Sequence, residues 1–133
     1  MSLQTCRVSK HRPRPFSDEE RAFLESVADK LPPRNRECLR HDLQIARVIG
    51  DGDFLLVELP GYERPDYKGH RNLPFEGEMR AADGGPMTVL VNMDRNERLL
   101  EVEFIYWESA GGLAPDWSTL SIVPKPPKGA SKR

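Results

Sequence analysis

Apolar and polar residues alternate most regularly over residues 98–108, RLLEVEFIYWE. A period of two is typical of a β-strand, whose successive side chains point to opposite faces. The first predicted face is apolar and consists of Leu100, Val102, Phe104 and Tyr106. The second is mixed and consists of Glu101, Glu103, Ile105 and Trp107. Two carboxylates between large apolar groups suggest a metal site, a docking surface for a basic partner, or ordinary solvation.

An earlier segment, FSDEERAFLESVADKLPP, has helical spacing and defined ends. Ser17 and Glu20 form the pattern of a capping box at its start. Pro32 and Pro33 are predicted to end the helix. Apolar residues at intervals of three and four predict one buried stripe. That stripe comprises Phe23, Leu24, Val27, Ala28 and Leu31.

A second, shorter helix is predicted over roughly residues 34–43, with Cys38, Leu39 and Leu43 on its inner side. The period then changes to two. QIARVI (44–49) and FLLVEL (54–59) are predicted strands on either side of GDGD, which indicates a hairpin turn.

The rest of the chain reads as a meander that follows a long polar loop over residues 60–74. The predicted strands are EGEMRA, MTVLVNMD, RLLEVEFIYWE and, after the loop SAGGLAPDW, STLSIV. The order of elements predicts an α+β fold, with an N-terminal helix or helix pair packed on a twisted antiparallel sheet of five to six strands. We expect one domain over residues 16–124 between a basic N-terminal tail (1–15) and a basic Pro/Lys-rich C-terminal tail (125–133).

Charge is segregated along the chain, although the formal net charge is only −1. Residues 1–16 and 125–133 each carry four basic residues and no acidic one. Residues 17–124 keep 12 basic residues against all 21 acidic ones, a net charge of −9. An acidic body repels nucleic acid and attracts basic surfaces, so we expect a basic protein partner and no nucleic acid.

A metal-dependent hydrolase is the sharpest enzymatic alternative. Asp66 in PD and Glu76 and Glu78 in EGE are similar to the PD-(D/E)xK nuclease pattern, in which acidic residues hold Mg²⁺ and a lysine stabilises the scissile phosphate. Glu78 stands where that pattern has lysine, which removes the cation that the chemistry needs.

The cysteines and histidines indicate no catalytic or zinc site. Cys38 and His41 are three residues apart on the predicted second helix, but no glycine-rich oxyanion turn accompanies them. The remaining cysteine and histidines are scattered, without zinc spacing. We therefore expect no cofactor and no metal. We also expect a cytoplasmic protein that does not enter a membrane, because no apolar run approaches roughly eighteen residues and residues 1–15 lack the apolar core of a secretory signal.

The aromatic residues favour a protein interface, since Trp and Tyr are frequent interface anchors. Trp107 is predicted on the same strand face as Glu101 and Glu103, which is what docking of a basic partner would require. The predicted partner contacts are Glu76, Glu78, Glu101, Glu103, Trp107, Tyr62 and Tyr67. The competing interpretation of Trp107 is that it covers the sheet beneath a loop or helix.

The segments RPFSDEERAFLE, LRHDLQIARVIG and LLEVEFIYWE together resemble an uncharacterised group of short bacterial α+β proteins. Those proteins begin R-P-[LF]-[ST]-x-E-E and continue L-R-x-Q-L-x-x-A-x-V, where this chain has Asp42 in place of the amide. The resemblance implies no known activity, but many small acidic α+β proteins of this kind look like immunity proteins, which neutralise a toxin encoded by a neighbouring gene. We expect a non-enzymatic inhibitor of a basic toxin domain such as a nuclease. We also expect the chain to be a monomer or a small homo-oligomer. A structural accessory module that buries apolar surface by self-association is the second alternative.

Overall fold

The computed structural model describes residues 12–51, 53–66, 69–108 and 114–125. Two helices come first in this part of the chain, α1 (Asp18–Asp29) and α2 (Pro33–Ile45). Seven strands follow them. They are β1 (Arg47–Asp51), β2 (Phe54–Glu58), β3 (Arg71–Asn72), β4 (Phe75–Ala81), β5 (Pro86–Met93), β6 (Leu99–Tyr106) and β7 (Pro115–Pro124).

All the strand pairs are antiparallel, and the order across the sheet is β1-β2-β6-β5-β4-β7. The short strand β3 pairs with Asn92 and Met93 at the end of β5, whereas β4 pairs with residues 86–89 of the same strand. The prediction of an α+β fold with two helices on an antiparallel sheet is confirmed. The sheet has seven strands instead of five to six, because β3 forms inside the predicted loop.

The first helix begins as predicted. The Ser17 hydroxyl accepts a hydrogen bond from the Glu20 backbone N–H, and the Glu20 carboxylate accepts one from the Ser17 N–H. This reciprocal pair satisfies two N–H groups that the helix itself leaves without partners. Glu20 also binds Arg14, whose backbone pairs with Val48 of β1. Arg14 belongs to the predicted tail, so contact with the domain begins before residue 16.

The second helix is longer than predicted at both ends. Pro33 is its first residue, since a proline at this position loses no helical hydrogen bond. Gln44 and Ile45, predicted as strand, form its last turn, and the Ala46 N–H still donates to the Asp42 carbonyl. Leu39 and Leu43 are buried as expected, whereas Cys38 is exposed, which corrects its predicted inner position.

One face of the sheet packs on the helices and forms the core. Three rows of paired residues lie on this face, namely Leu55–Val102–Val91, Phe104–Val89–Gly77 and Tyr106–Met87–Met79. The helices add the predicted stripe from Phe23 to Leu31. The prediction for Leu100 is wrong. The register shifts between Asn92 and Met93, so that Leu99 occupies the fully buried position and Leu100 is only half-buried.

Contact between α1 and the sheet depends on a glycine. A Cβ on Gly77 would lie 2.8 Å from Leu120 Cδ1 and 2.9 Å from Phe23 Cε1, closer than side chains tolerate. Trp117, predicted in a loop, lies in β7 and packs its ring near those of Phe23 and Phe104. The last strand therefore begins at Pro115, three residues before its predicted start.

Neither helix in the described ranges is both long and apolar enough to cross a membrane.

Candidate functional site

The face of the sheet opposite α1 and α2 combines carboxylates with apolar side chains. Strand register assigns its residues, because residues paired directly across strands share a face. The rows are Leu56–Glu101–Asn92–Asn72, Phe54–Glu103–Leu90 and Ile105–Thr88–Glu78–Ser121. Trp107 joins them, since its indole N–H donates to Thr88 Oγ1 at 2.8 Å. We call this surface the acidic face, defined by Phe54, Leu56, Glu78, Leu90, Glu101, Glu103, Ile105 and Trp107.

Large apolar groups on the acidic face reach solvent. Trp107 is 47% exposed and Leu56 36% exposed, and in the described ranges these are the large hydrophobic side chains that reach furthest into solvent. Exposed apolar groups of this size beside charges are typical of surfaces that bind other molecules.

A groove of about 610 Å³ lies beside Trp107 at one end of the acidic face. Glu78 and Glu108 contribute carboxylates to its wall, and Arg80 contributes a guanidinium. Its remaining lining residues are Met79, Pro86, Met87, Thr88 and Thr119. A ring with two carboxylates nearby suits a basic side chain, because both attract a cation.

Glu101 and Glu103 converge near the middle of the sheet. The buried side chain of Asn92 donates through Nδ2 to Glu101 Oε2 at 2.9 Å and to Glu103 Oε1 at 3.4 Å. The side-chain oxygen Oδ1 of Asn92 accepts a hydrogen bond from Asn72 Nδ2. His70, from the loop before β3, places its Nδ1 4.0 Å from Glu101 Oε2. Within the described ranges, no lysine or arginine lies within 4.0 Å of either carboxylate.

The predicted contact residues do not all lie together. Glu78, Glu101, Glu103 and Trp107 share the acidic face. Glu76 is only 2% exposed, so it is not available to a partner, which corrects the prediction for that residue. Its neighbour across the sheet is Val123 of β7. Tyr67 lies outside the described residues.

Tyr62 belongs to a different region, in which every carboxylate is paired with an arginine. Its hydroxyl donates to Asp94 Oδ2 at 2.8 Å, and the Arg98 guanidinium lies 4.2 Å from the centre of its ring. Arg64 also donates to Asp94 Oδ2, at 2.9 Å. Arg98 donates through Nε and Nη2 to the buried Asp42 of α2 at 2.9 and 2.7 Å. We call these five residues the ion-pair network.

The contacts within this network shift the pKa values of Asp94 and Arg98. Burial alone would raise the pKa of Asp94, but hydrogen bonds from the Arg98 backbone N–H, the Tyr62 hydroxyl and the Arg64 guanidinium outweigh it and hold that pKa below its ordinary value. The hydrogen bond to Asp42 raises the pKa of Arg98. Both shifts favour the charged forms of Asp94 and Arg98 in the folded protein.

The residues of the hydrolase alternative are not assembled into one site. Asp66 is exposed and lines a pocket with Arg64, Asp94 and Arg95, whereas Glu76 is buried in β4. In the described part of the chain, the group of His, Cys, Asp or Glu side chains close enough to share an ion is His70, Glu101 and Glu103. Asp66, Glu76 and Glu78 are not in it.

Sequence reasoning missed His70 and the pair formed by Asp42 and Arg98. His70 lies in a loop without periodicity, so no pattern places it beside Glu101. Asp42 gives a weak signal, because it is a charged residue at a helix position directly before the inward-facing Leu43. A charge at such a position predicts a buried partner, although it does not identify Arg98.

Comparison of the chain with protein-family models, with curated proteins and with solved structures found no significant match.

Proposed function

We propose that this chain is a non-enzymatic protein-binding domain, an immunity-type inhibitor whose acidic face covers a basic toxin domain such as a nuclease. The observation that carries the proposal is the combination of Glu101, Glu103 and Trp107 on a sheet face that neither described helix covers. The likeness of many small acidic α+β proteins to immunity proteins favours a toxin among the possible basic partners.

Charge complementarity supports a basic partner. Glu78, Glu101 and Glu103 share the acidic face, and the described arginines and lysines form no ion pair with them within 4.0 Å. Carboxylates that the fold does not neutralise attract a cationic surface, which accelerates encounter and disfavours acidic partners. A nuclease cleft is such a surface, because it has to attract a phosphate backbone.

The apolar residues supply the second part of a docking surface. Trp107 and Leu56 are exposed, and Phe54 and Ile105 are partly buried on the same face. Aromatic side chains are frequent energetic hot spots of interfaces, while charge complementarity mainly sets the association rate and the selectivity. We therefore assign affinity to the Trp107 end and selectivity to the glutamates.

The test is a kinetic binding measurement between this chain and the product of the gene adjacent to its own, where a toxin that it neutralises is expected to be encoded. Replacing Glu101 and Glu103 by Lys should lower the association rate constant about tenfold or more at low ionic strength and reduce its salt dependence. Trp107→Ala should instead raise the dissociation rate, with a loss of about 2 kcal/mol or more in binding free energy.

The matched control reverses two exposed glutamates on the helices, Glu19 and Glu37, which changes the net charge equally but away from the acidic face. If the Glu101 and Glu103 variant does not fold, Glu78→Lys replaces it as the acidic-face variant, because Glu78 is exposed. An unchanged rate and salt dependence in both acidic-face variants would contradict the proposal, as would an equal loss in the helix control. A metabolic operon around the gene would favour an enzyme instead, and self-association in light scattering would favour the accessory module.

A further inference from the structure

His70, Glu101 and Glu103 bring one imidazole and two carboxylates together without any sequence motif. One ligand atom from each residue lies within 4.8 Å of the other two. Glu101 and Glu103 are two residues apart on β6 and so project to the same side. His70 reaches them from the loop immediately before β3, and β3 pairs with β5, the strand beside β6.

This group has two carboxylates that are partly buried, a combination that is unusual without a cation nearby. The Glu101 side chain is only 16% exposed, and its contacts in the described structure are the neutral Asn92 amide and the more distant His70. Carboxylates that are largely removed from water are normally paired with a cation, because an unpaired buried charge is costly. No described lysine or arginine fills that role here.

From this geometry and charge we propose that His70, Glu101 and Glu103 bind a divalent transition-metal ion, with Zn²⁺ as the reference ion. Zinc binds histidine nitrogen and carboxylate oxygen at about 2.0–2.2 Å in tetrahedral geometry, so two of its ligand atoms lie roughly 3.4 Å apart. His70 Nδ1 and Glu101 Oε2 are 4.0 Å apart, and all three ligand atoms lie within 4.8 Å of one another. Small side-chain rotations that shorten these separations would place all three atoms around one ion.

The supporting side chain and the ligand types narrow the choice of ion. The buried Asn92 amide donates to both carboxylates, which is how hydrogen-bonding neighbours commonly orient the ligands of a metal. An imidazole among the ligands favours Zn²⁺, Co²⁺, Ni²⁺ or Cu²⁺, whereas Mg²⁺ and Ca²⁺ prefer oxygen ligands alone. Three protein ligands also leave room for water or for a group from another molecule. This inference departs from the prediction that the chain binds no metal.

The experiment is calorimetric titration of the metal-free full chain with Zn²⁺, and with Mg²⁺ for comparison. We expect one Zn²⁺ per chain and no comparable Mg²⁺ binding. His70→Ala and Glu103→Gln should each weaken Zn²⁺ binding by about tenfold or more. The matched controls are His41→Ala, at an exposed histidine on α2, and Glu78→Gln, at an exposed glutamate on the same sheet face, and both should bind like the native chain.

Cobalt gives a second measurement that does not depend on any variant folding. Co²⁺ bound here should give visible absorption of nitrogen and oxygen coordination, without a thiolate charge-transfer band. A thiolate band would place the ion at a cysteine and overturn the proposal. Absence of Zn²⁺ binding, unchanged binding in the His70 and Glu103 variants, or an equal loss in Glu78→Gln would also overturn it. None of these measurements involves a protein partner, so they succeed or fail independently of the inhibitor function.

Discussion

The ion-pair network and the acidic face differ in the partners of their carboxylates. In the network, Asp42 and Asp94 are buried and each is bound by an arginine, Arg98 and Arg64 respectively. On the acidic face, Glu101 and Glu103 are bound by an amide and approached by a histidine. The first arrangement ties α2 to the turn before β6 and serves the fold. The second leaves negative charge that no arginine or lysine of the described residues pairs with, and such charge is available for a ligand.

The comparison predicts a large loss of stability when the network is broken at its most buried residue. Asp42→Ala leaves Arg98 without its carboxylate and the Leu99 N–H without its acceptor. Removing one partner of a buried ion pair costs about 3–5 kcal/mol of unfolding free energy, measured by urea denaturation. The matched change on the acidic face, Glu103→Ala, should cost less than about 1 kcal/mol. Similar losses in the two variants would contradict the distinction between the regions.

A double substitution tests whether the unpaired charge of Arg98 causes the loss of stability in Asp42→Ala. Asp42→Leu combined with Arg98→Met removes both charges while keeping much of the side-chain volume. The double variant should lose less stability than Asp42→Ala, because no buried charge is left without a partner. A double variant that is as unstable as the single one would show that the lost Leu99 hydrogen bond, and not the charge, dominates.

Acid should weaken the network through Asp94. Its pKa is lower in the folded protein than its ordinary value of 3.8, so the unfolded chain binds the proton more tightly. The stabilisation is therefore complete well above pH 3.8 and is lost as the pH falls through the folded pKa. Asp94→Asn should lower the unfolding free energy by about 1.5–3 kcal/mol at neutral pH and flatten its dependence on pH below about pH 4. Parallel pH profiles for the native and variant proteins would contradict this assignment.

Tyr62 should contribute less than either aspartate. Tyr62→Phe removes one hydrogen bond to Asp94, which keeps Arg64 and the backbone N–H groups of Asn96 and Arg98. We expect a loss of about 0.5–1.5 kcal/mol by urea denaturation. The control is the same change in the Asp94→Asn background, where the loss should shrink because the two residues are coupled. Additive losses would show that Tyr62 acts through packing alone.

The predictable parts of this molecule are those determined by neighbouring residues. The capping box at Ser17 and the period of two in β6 are local patterns, so the sequence reveals them directly. Asp42 and Arg98 are 56 residues apart, and they meet only because α2 packs against the turn before β6. The bulge that buries Leu99 depends on the register with β5. Glu76 is buried although alternation along β4 places it on the same face as the exposed Glu78. Such features follow from the tertiary structure and leave little trace in local spacing.

The smallest expected effect is also the sharpest test of the acidic face. Glu101→Gln with Glu103→Gln removes two like charges while keeping oxygen acceptors for the Asn92 amide. Because no lysine or arginine in the described part of the chain pairs with these carboxylates, the unfolding free energy of the metal-free chain should rise by up to about 0.5 kcal/mol at low salt. The difference should shrink at high salt, where repulsion is screened. Urea denaturation at two ionic strengths measures it, with Glu37→Gln as the control on α2. A loss above about 1 kcal/mol would mean that these carboxylates stabilise the fold as Asp42 and Asp94 do, and the contrast between the two regions would disappear.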